Sequence, residues 1–185
     1  MAELQLYDGR PADESGRLPR EIRVYDYLEE LKIPFRRTDH ENVATMEDLY
    51  EADRVLGVVL CKNLFLCNRQ KTDFYLLSMP ADKPFKTKEL SGQLGISRLS
   101  FADPSDMLKY LDIEPGAVSI MGLMNDTEQK VRLLMDEDIR KDEFFGCHPC
   151  VTTSSMKLKM KDVLEIFLPA TGHSPTWVKL SGNWT

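Results

Sequence analysis

The chain has 185 residues, of which 42% are hydrophobic and 29% charged, and a formal net charge of −6. At ~150 residues per domain this is one domain with modest decoration, long enough to bury a core without staples. The composition excludes disorder and collagen-like repeats, and the net charge opposes indiscriminate polyanion binding while leaving room for a local basic patch.

The opening residues are polar and contain Gly9, Pro11 and Gly16, so residues 1–18 are expected as a loosely docked arm, with residues 19–185 as the domain proper. Pro19 suits a first helical turn, Ile22, Tyr25, Leu28 and Leu31 follow at helical spacing, and Pro34 ends the helix. Phe35–Asp39 reads as a short strand. Thr45 with Asp48 resembles a capping box that opens a helix through Val55. The apolar run Val58–Cys67 predicts a buried strand, turned by the polar segment 68–73 into Phe74–Met79 as a hairpin.

Thr87 is expected to cap a short helix closed by Gly95. Asp103-Pro104 starts another, with Met107, Leu108 and Leu111 as its apolar face. Residues 117–124, 130–136 and 150–158 read as strands, Asp162–Leu168 as the last helix and 177–180 as an edge strand. Strands and short helices interleave irregularly, which predicts an α+β fold with a mixed, barrel-like sheet flanked by helices.

The longest apolar run, Val55 to Cys61, contains Gly57 and is too short to span a membrane. The N-terminus lacks the basic and apolar segments of a secretory signal. The four cysteines, at 61, 67, 147 and 150, are therefore expected as reduced thiols in a cytoplasmic protein.

Three segments could carry chemistry. Lys62 in Cys61-Lys62-Asn63-Leu64-Phe65-Leu66 shares its strand face with leucines, so its ammonium either snorkels to water or meets a ligand's phosphate, carboxylate or carbonyl. Pro115-Gly116-Ala117-Val118-Ser119-Ile120-Met121-Gly122 holds two glycines; it is either a plain tight turn or a bend whose freed amides line a small anionic site. Gly146-Cys147-His148-Pro149-Cys150, followed by Val151 and Thr152, admits a redox pair, an incomplete zinc site, a pocket shaped by His148 and Pro149, or a structural loop. The β-favouring residues after Cys150 supply no helix N-terminus for a low-pKa thiol, and no second ligand pair stands at metal-like spacing.

Asp136-Glu137-Asp138 reads as a solvated turn, and Met121, Met124, Met156 and Met160 as core. Lys83, Lys86 and Lys88, with Lys157, Lys159 and Lys161, could form the local basic patch.

Taken in order, Lys62–Leu66, Leu99-Ser100-Phe101-Ala102, Pro115–Ser119 with Gly122–Asp126, and Gly146–Pro149 resemble the YbaK/prolyl-tRNA synthetase-associated editing domain family, nearest its free-standing PrdX-like (ProX) branch. The resemblance covers residues 20–170 and implies a trans-editing aminoacyl-tRNA hydrolase acting on the acceptor end of mischarged tRNA(Pro). Alanine is the amino acid implied for this branch, whereas YbaK-type relatives prefer cysteinyl-tRNA(Pro). Prolyl-tRNA synthetase is a further implied partner, and no metal or organic cofactor is implied.

By the same resemblance Lys62 holds the terminal adenosine end and the reacting ester, with Asn63 beside it. Gly116, Ala117, Val118, Ser119 and Ile120 match the family's Gly-x-x-x-Pro loop, whose amides contact substrate. His148, with Pro149 and Thr152, lines the amino-acid pocket. Two positions depart from the pattern: Ile120 replaces the loop proline, and Thr152 stands where asparagine is frequent. These departures keep a silent tRNA-binding protein on the same fold as an alternative, beside a Cys-x-x-Cys redox or zinc module.

Overall fold

A computed structural model of the chain describes residues 3–42 and 46–182. Two β-sheets form its frame. The first comprises β1 (Tyr7–Asp8), β2 (Phe35–Asp39), β7 (Phe144–Cys147) and β8 (Ser154–Lys159), ordered β1-β2-β8-β7 and antiparallel throughout. The second comprises β3 (Lys62–Cys67), β4 (Phe74–Met79), β5 (Ser100–Phe101), β6 (Val131–Asp136) and β9 (Thr176–Val178), ordered β5-β3-β4-β6-β9. It is mixed: β5, β3 and β4 pair antiparallel, whereas β6 lies parallel to both β4 and β9. The α+β class agrees with expectation, but the strands divide into two sheets joined by a single parallel bridge, Leu60 to Gly146, rather than one barrel-like surface.

The period of two in β3 explains why its sheet has two dry faces. Phe65 and Cys67 enter the core between the sheets with Phe74, Leu76, Leu133, Phe145 and Met156. Leu64 and Leu66 point the other way, toward Tyr75, Leu77, Leu90 and Leu99. Central β4 is buried along its whole length, as a strand covered on both sides must be. The β3–β4 turn closes because the Asn68 side-chain oxygen accepts from the amides of Thr72 and Asp73.

Helix α1 (Pro19–Glu30) starts at its proline and buries Val24, Tyr25 and Leu28. Helix α2 (Met46–Leu56) follows β2; the Thr45 half of its expected cap lies outside the described residues. Helix α3 (Thr87–Leu94) stops at Gly95, which takes the left-handed conformation a C-terminal turn requires. In α4 (Pro104–Leu111), Met107 and Leu111 are buried as expected, but Leu108 is exposed. The short α5 (Glu137–Arg140) follows β6. The last helical segment is longer than Asp162–Leu168: α6 (Met160–Asp162) and α7 (Leu168–Thr171) flank a wide turn, Val163–Phe167, in which the Leu168 amide reaches back to the Val163 carbonyl. Pro169 has no amide to continue an ordinary ladder there. Among the described residues no helix is long and apolar enough to cross a membrane.

Four local expectations change. The arm is anchored over its described residues, 3–18: Tyr7–Asp8 pairs with β2, Arg10 bridges Asp26 and Glu29, and Arg17 reaches Glu21 and Asp39. Residues 150–153 form a turn, so β8 begins only at Ser154. Asp136 is fully buried, accepts from the Asp138 amide at 2.9 Å and receives the Lys83 ammonium at 2.8 Å, so the acidic run is not a solvated turn.

Residues 117–124 are not a strand. The chain turns at Glu114–Ala117 and then forms a 3₁₀ helix, Ile120–Asn125, capped by the Ser119 hydroxyl, which accepts from the Met121 amide at 3.1 Å. A continuous apolar run does not distinguish a buried strand from a buried helical turn. Gly122 lets this turn pack: a Cβ there would stand 2.6 Å from Ile113 Cδ1 and 3.0 Å from the Leu111 carbonyl oxygen. Gly122→Ala is therefore expected to destabilise the fold by about 1–3 kcal/mol, read as a lowered urea midpoint with unchanged slope.

A candidate active site at the seam between the sheets

The Leu60–Gly146 bridge runs the two chain segments side by side in the same direction, and the Cys61 amide donates to the Gly146 carbonyl at 3.3 Å. Gly146 allows the approach: a Cβ would stand 3.2 Å from Leu60 Cα and 3.1 Å from Val58 Cγ1. Cys61 and Cys147 follow the bridge, and after them Lys62 and His148. Ala117 and Ile120 share a core cluster with Cys147, which sets the Gly116–Ile120 loop against the end of β7.

Gly116 has φ +94°, a conformation that favours glycine, and a Cβ there would sit 3.4 Å from Thr152 Cγ2. The Thr152 hydroxyl donates to Asn42 Oδ1. The structure thus packs the 116–120 loop against the 147–152 loop. Ala117, Ser119 and Ile120 are buried and Val118 half-buried, so the loop turns its side chains inward. Among the described residues, the amides of Val118 and Ser119 have no acceptor.

His148 Nδ1 lies 2.9 Å from the Ser154 carbonyl oxygen. A carbonyl only accepts, so Nδ1 carries the hydrogen and Nε2 keeps its lone pair in the neutral ring. Burial lowers the His148 pKa, partly offset by the Ser154 carbonyl, with His40 lowering it further. His40 Nε2 is 2.8 Å from Ser155 Oγ, which lies 3.4 Å from His148 Nδ1. Pro149, buried, sets the entry to the turn, and Cys150 closes it at φ +63°.

The two β3 residues go to opposite faces. Asn63 is on the inner side with Cys61 and Phe65; its amide donates to the Cys61 carbonyl at 3.1 Å and its oxygen accepts from the buried Ser78 hydroxyl. Lys62 leaves on the outer side with Leu64, into an open cleft of about 570 Å³ lined also by Phe85, Lys86, Thr87, Lys88 and Phe101. Its ammonium donates to the Lys83 carbonyl, and no carboxylate among the described residues forms an ion pair with it. Burial lowers the Lys62 pKa and Asp82 partly offsets this.

The 116–120 loop thus approaches the 147–152 turn at Gly116 and Thr152, and Asn63 faces inward near the start of β3, whereas the Lys62 side chain projects from the same strand end on the other face. Sequence reasoning missed Ser78, Ser155, His40 and Asp136. A hydroxyl in an apolar run and one aspartate of an acidic triplet carry no distinctive signal.

The cysteines are free and act as packing groups. Burial pushes the Cys61 and Cys147 thiols up to about 12 and raises Cys150 as well. A redox pair requires the opposite shift. Among the described residues no three His, Cys, Asp or Glu side chains are arranged to hold a metal ion.

Two outcomes follow from these environments. At pH 8, Cys147 and Cys150 should resist alkylation until the protein is unfolded, as mass spectrometry of labelled peptides would show. The unfolded chain protonates His148 near its ordinary 6.5, and the folded chain only at lower pH. The stability this neutral ring contributes is thus complete above that pH and lost as pH falls through the window below it. His148→Gln should flatten the decline in urea midpoint between about pH 7 and pH 5.

Comparison with known proteins agrees with this architecture. The family model for the aminoacyl-tRNA editing domain matches residues 40–166. The prolyl-tRNA editing protein ProX of Acetoanaerobium sticklandii is 31% identical over 147 residues, covering 80% of this chain and 89% of that protein. The prolyl-tRNA synthetase associated domain-containing protein 1 of Danio rerio is 30% identical over 152 residues, covering 81% and 82% respectively. A crystal structure described as a candidate trans-editing enzyme for prolyl tRNA synthetase superposes with a TM-score of 0.65 over 89% of this chain and 99% of its own, at 16% identity.

Proposed function

This chain belongs to the aminoacyl-tRNA editing domain family, and from that premise we propose that it is a cytoplasmic trans-editing deacylase that hydrolyses the ester of mischarged tRNA(Pro), with alanine the amino acid removed. The observation that carries this reading is the approach of a loop whose Val118 and Ser119 amides have no acceptor among the described residues to the turn of a neutral histidine whose Nε2 retains its lone pair.

An aminoacyl ester is already activated, so a bound water, positioned and met by oxyanion donors, suffices without a nucleophilic side chain. In this reading the Val118 and Ser119 amides of the Gly116–Ile120 loop receive the charge that develops on the carbonyl oxygen. His148, with Pro149 and Thr152, bounds the amino-acid pocket. Asn63 lines the seam, and Lys62 at the mouth of β3 holds the terminal ribose end. The Ile120 departure is mild in backbone terms: Ile120 opens the 3₁₀ helix, at a position proline also tolerates. Thr152 keeps its methyl against Gly116 and its hydroxyl on Asn42, so in this reading it would fill the side of the amino-acid pocket it faces and favour a small substrate. One small group is worth only ~1–3 kcal/mol of discrimination, so glycine and serine are the hardest competitors to exclude.

Net charge shapes the encounter. A chain at −6 must meet tRNA through localised lysines, so affinity should be modest and salt-sensitive. Association with prolyl-tRNA synthetase would compensate by delivering the substrate, a reading supported by the synthetase-associated naming of the relatives.

The test is hydrolysis of Ala-tRNA(Pro) by purified protein, beside Cys-, Ser- and Pro-tRNA(Pro). Rapid loss of the alanyl ester with the prolyl ester spared is expected, and Lys62→Ala should slow it by about 10²-fold or more. Cleavage of a different ester would reassign the pocket. Survival of all four would leave a silent tRNA-binding protein on this fold.

A further inference from the structure

Strand β2 alternates, so Thr38 and His40 project to one face and Asp39 to the other. His40 stands one residue past the strand, but its amide donates to the Thr153 carbonyl at 3.0 Å, which carries the β2–β8 ladder one step further. Ser155 lies opposite Thr38 in that ladder, on the face His40 shares, whereas Ser154 turns its hydroxyl the other way to Asp39. The two consecutive serines thus meet His148 differently. Ser154 offers its carbonyl to Nδ1 at 2.9 Å, and Ser155 its hydroxyl oxygen at 3.4 Å.

The direction of each hydrogen follows from the partners. His40 Nδ1 lies 2.8 Å from the Glu41 carbonyl oxygen, which only accepts, so in the neutral ring Nδ1 carries the hydrogen and Nε2 accepts. Ser155 Oγ, 2.8 Å from that Nε2, must then donate to it. With its hydrogen engaged by His40, Ser155 presents only lone pairs to His148, and both acceptors around His148 Nδ1 call for the same tautomer. The commitment to His40 stands although Thr38, across from Ser155, is fully buried with a hydroxyl that has no partner among the described residues.

Released from His40, the Ser155 hydroxyl would be free to turn its hydrogen to His148 Nδ1. That favours the opposite tautomer, with the hydrogen on Nε2 and the lone pair lost from that side of the ring. The Ser154 carbonyl and the Ser155 hydroxyl would then compete over one ring. Burial lowers the His148 pKa, the Ser154 carbonyl partly offsets this and His40 lowers it further, so the ring is neutral and its tautomer is the property left to be set.

We propose that His40 is a positioning residue of the candidate site: by drawing the Ser155 hydroxyl hydrogen to itself, it holds neutral His148 as the Nδ1–H tautomer and keeps Nε2 an acceptor. The inference rests on the editing reading for its catalytic consequence, whereas the tautomer is a property of the free protein.

The experiment records the ring-nitrogen chemical shifts of ¹⁵N-labelled protein at pH 8, above the ordinary histidine range. The chain has three histidines, so His148→Gln and the His40 variants assign the signals. In the native chain both His40 and His148 should carry their hydrogen on Nδ1. His40→Phe should move His148 toward the Nε2–H form. His40→Gln, whose amide oxygen can accept from Ser155, should restore it. His40→Phe combined with Ser155→Ala should restore it too, because the competing donor is gone; a merely structural loss is not reversed by deleting a second side chain. Hydrolysis of Ala-tRNA(Pro) should follow the same order. With about nine-tenths of His148 in the wrong tautomer, kcat/KM falls about tenfold in His40→Phe and recovers in the other two variants.

Thermal melts check that each variant is folded. A folded His40→Phe chain whose His148 keeps the native tautomer would overturn the proposal, as would a native His40 ring with its hydrogen on Nε2, a reading that needs no variant. Full hydrolysis by a His40→Phe chain whose tautomer has shifted would overturn it as well, since the Nε2 lone pair would then not matter to the reaction. Tautomers that respond as expected in a chain that cleaves none of the four esters remove the editing reading and keep the hold of His40 on the ring.

Discussion

Two sheets of different strand sense meet at Leu60 and Gly146, and the candidate site hangs from that pairing. The bridge needs a residue without a side chain, because the Leu60 backbone and the Val58 side chain occupy the space a Cβ would take at 146. From there the two segments diverge in parallel, one into β3 with Lys62 and Asn63, the other into the His148–Thr152 turn. The third component, the 116–120 loop, packs in through Ala117 and Ile120 in the core cluster of Cys147, and the Ser119 hydroxyl caps the 3₁₀ helix that follows. A change at the seam would thus move the start of β3 and the His148–Thr152 turn together; in the proposed reading, loop amides displaced by even a fraction of an ångström would lose their alignment on a developing charge.

Charge is used sparingly inside this frame, and several buried instances join elements distant in sequence. Asp136 at the end of β6 holds Lys83 from the β4–α3 connection, and through the Lys83 carbonyl it also constrains Lys62. Arg17 joins Glu21 of α1 to Asp39 of β2, while Tyr25 donates to Glu21 and Ser154 of β8 donates to Asp39. Such pairs add little net stability over apolar packing, but removing one partner leaves an uncompensated buried charge at ~3–5 kcal/mol. Their value here is positional: they hold the N-terminal segment and the start of β8, and β8 supplies the Ser154 carbonyl that sets the tautomer of His148.

How much of this was legible in the sequence depends on whether the deciding interaction is local. Pro19, Gly95 and the polar stretch 68–73 act on their own chain neighbours, so α1, the end of α3 and the β3–β4 hairpin were readable. The strand period placed Lys62 and Asn63 on opposite faces correctly, since Leu64 and Leu66 pack outward and Phe65 inward. The stretch 117–124 misled because every apolar side chain in it is covered, and a fully buried turn loses the polar alternation that would reveal it. Asp136 misled for the converse reason: its partner Lys83 is 53 residues away in sequence. The motifs single out candidate residues, whereas the meeting of their segments depends on the Leu60–Gly146 bridge, a contact between segments 86 positions apart that has no local signature.

The two faces of β3 give the strand a division of labour that follows from its period alone. Consecutive residues must project oppositely, so one strand end can serve a charged, aromatic cleft through Lys62 and a closed seam through Asn63. An ester joining a nucleotide to a small amino acid has the same two-sided character: a polyanionic handle that binds in open solvent, and a compact reacting end that benefits from exclusion of water. In the editing reading proposed above, contacts to the handle on the outer face would keep phosphate charge away from the inner side, where His148 lies and where the Val118 and Ser119 amides have no acceptor among the described residues. In that reading, binding energy gathered outside would be spent on fixing the carbonyl inside, so that a chain of net charge −6 would act on a polyanion without holding it tightly.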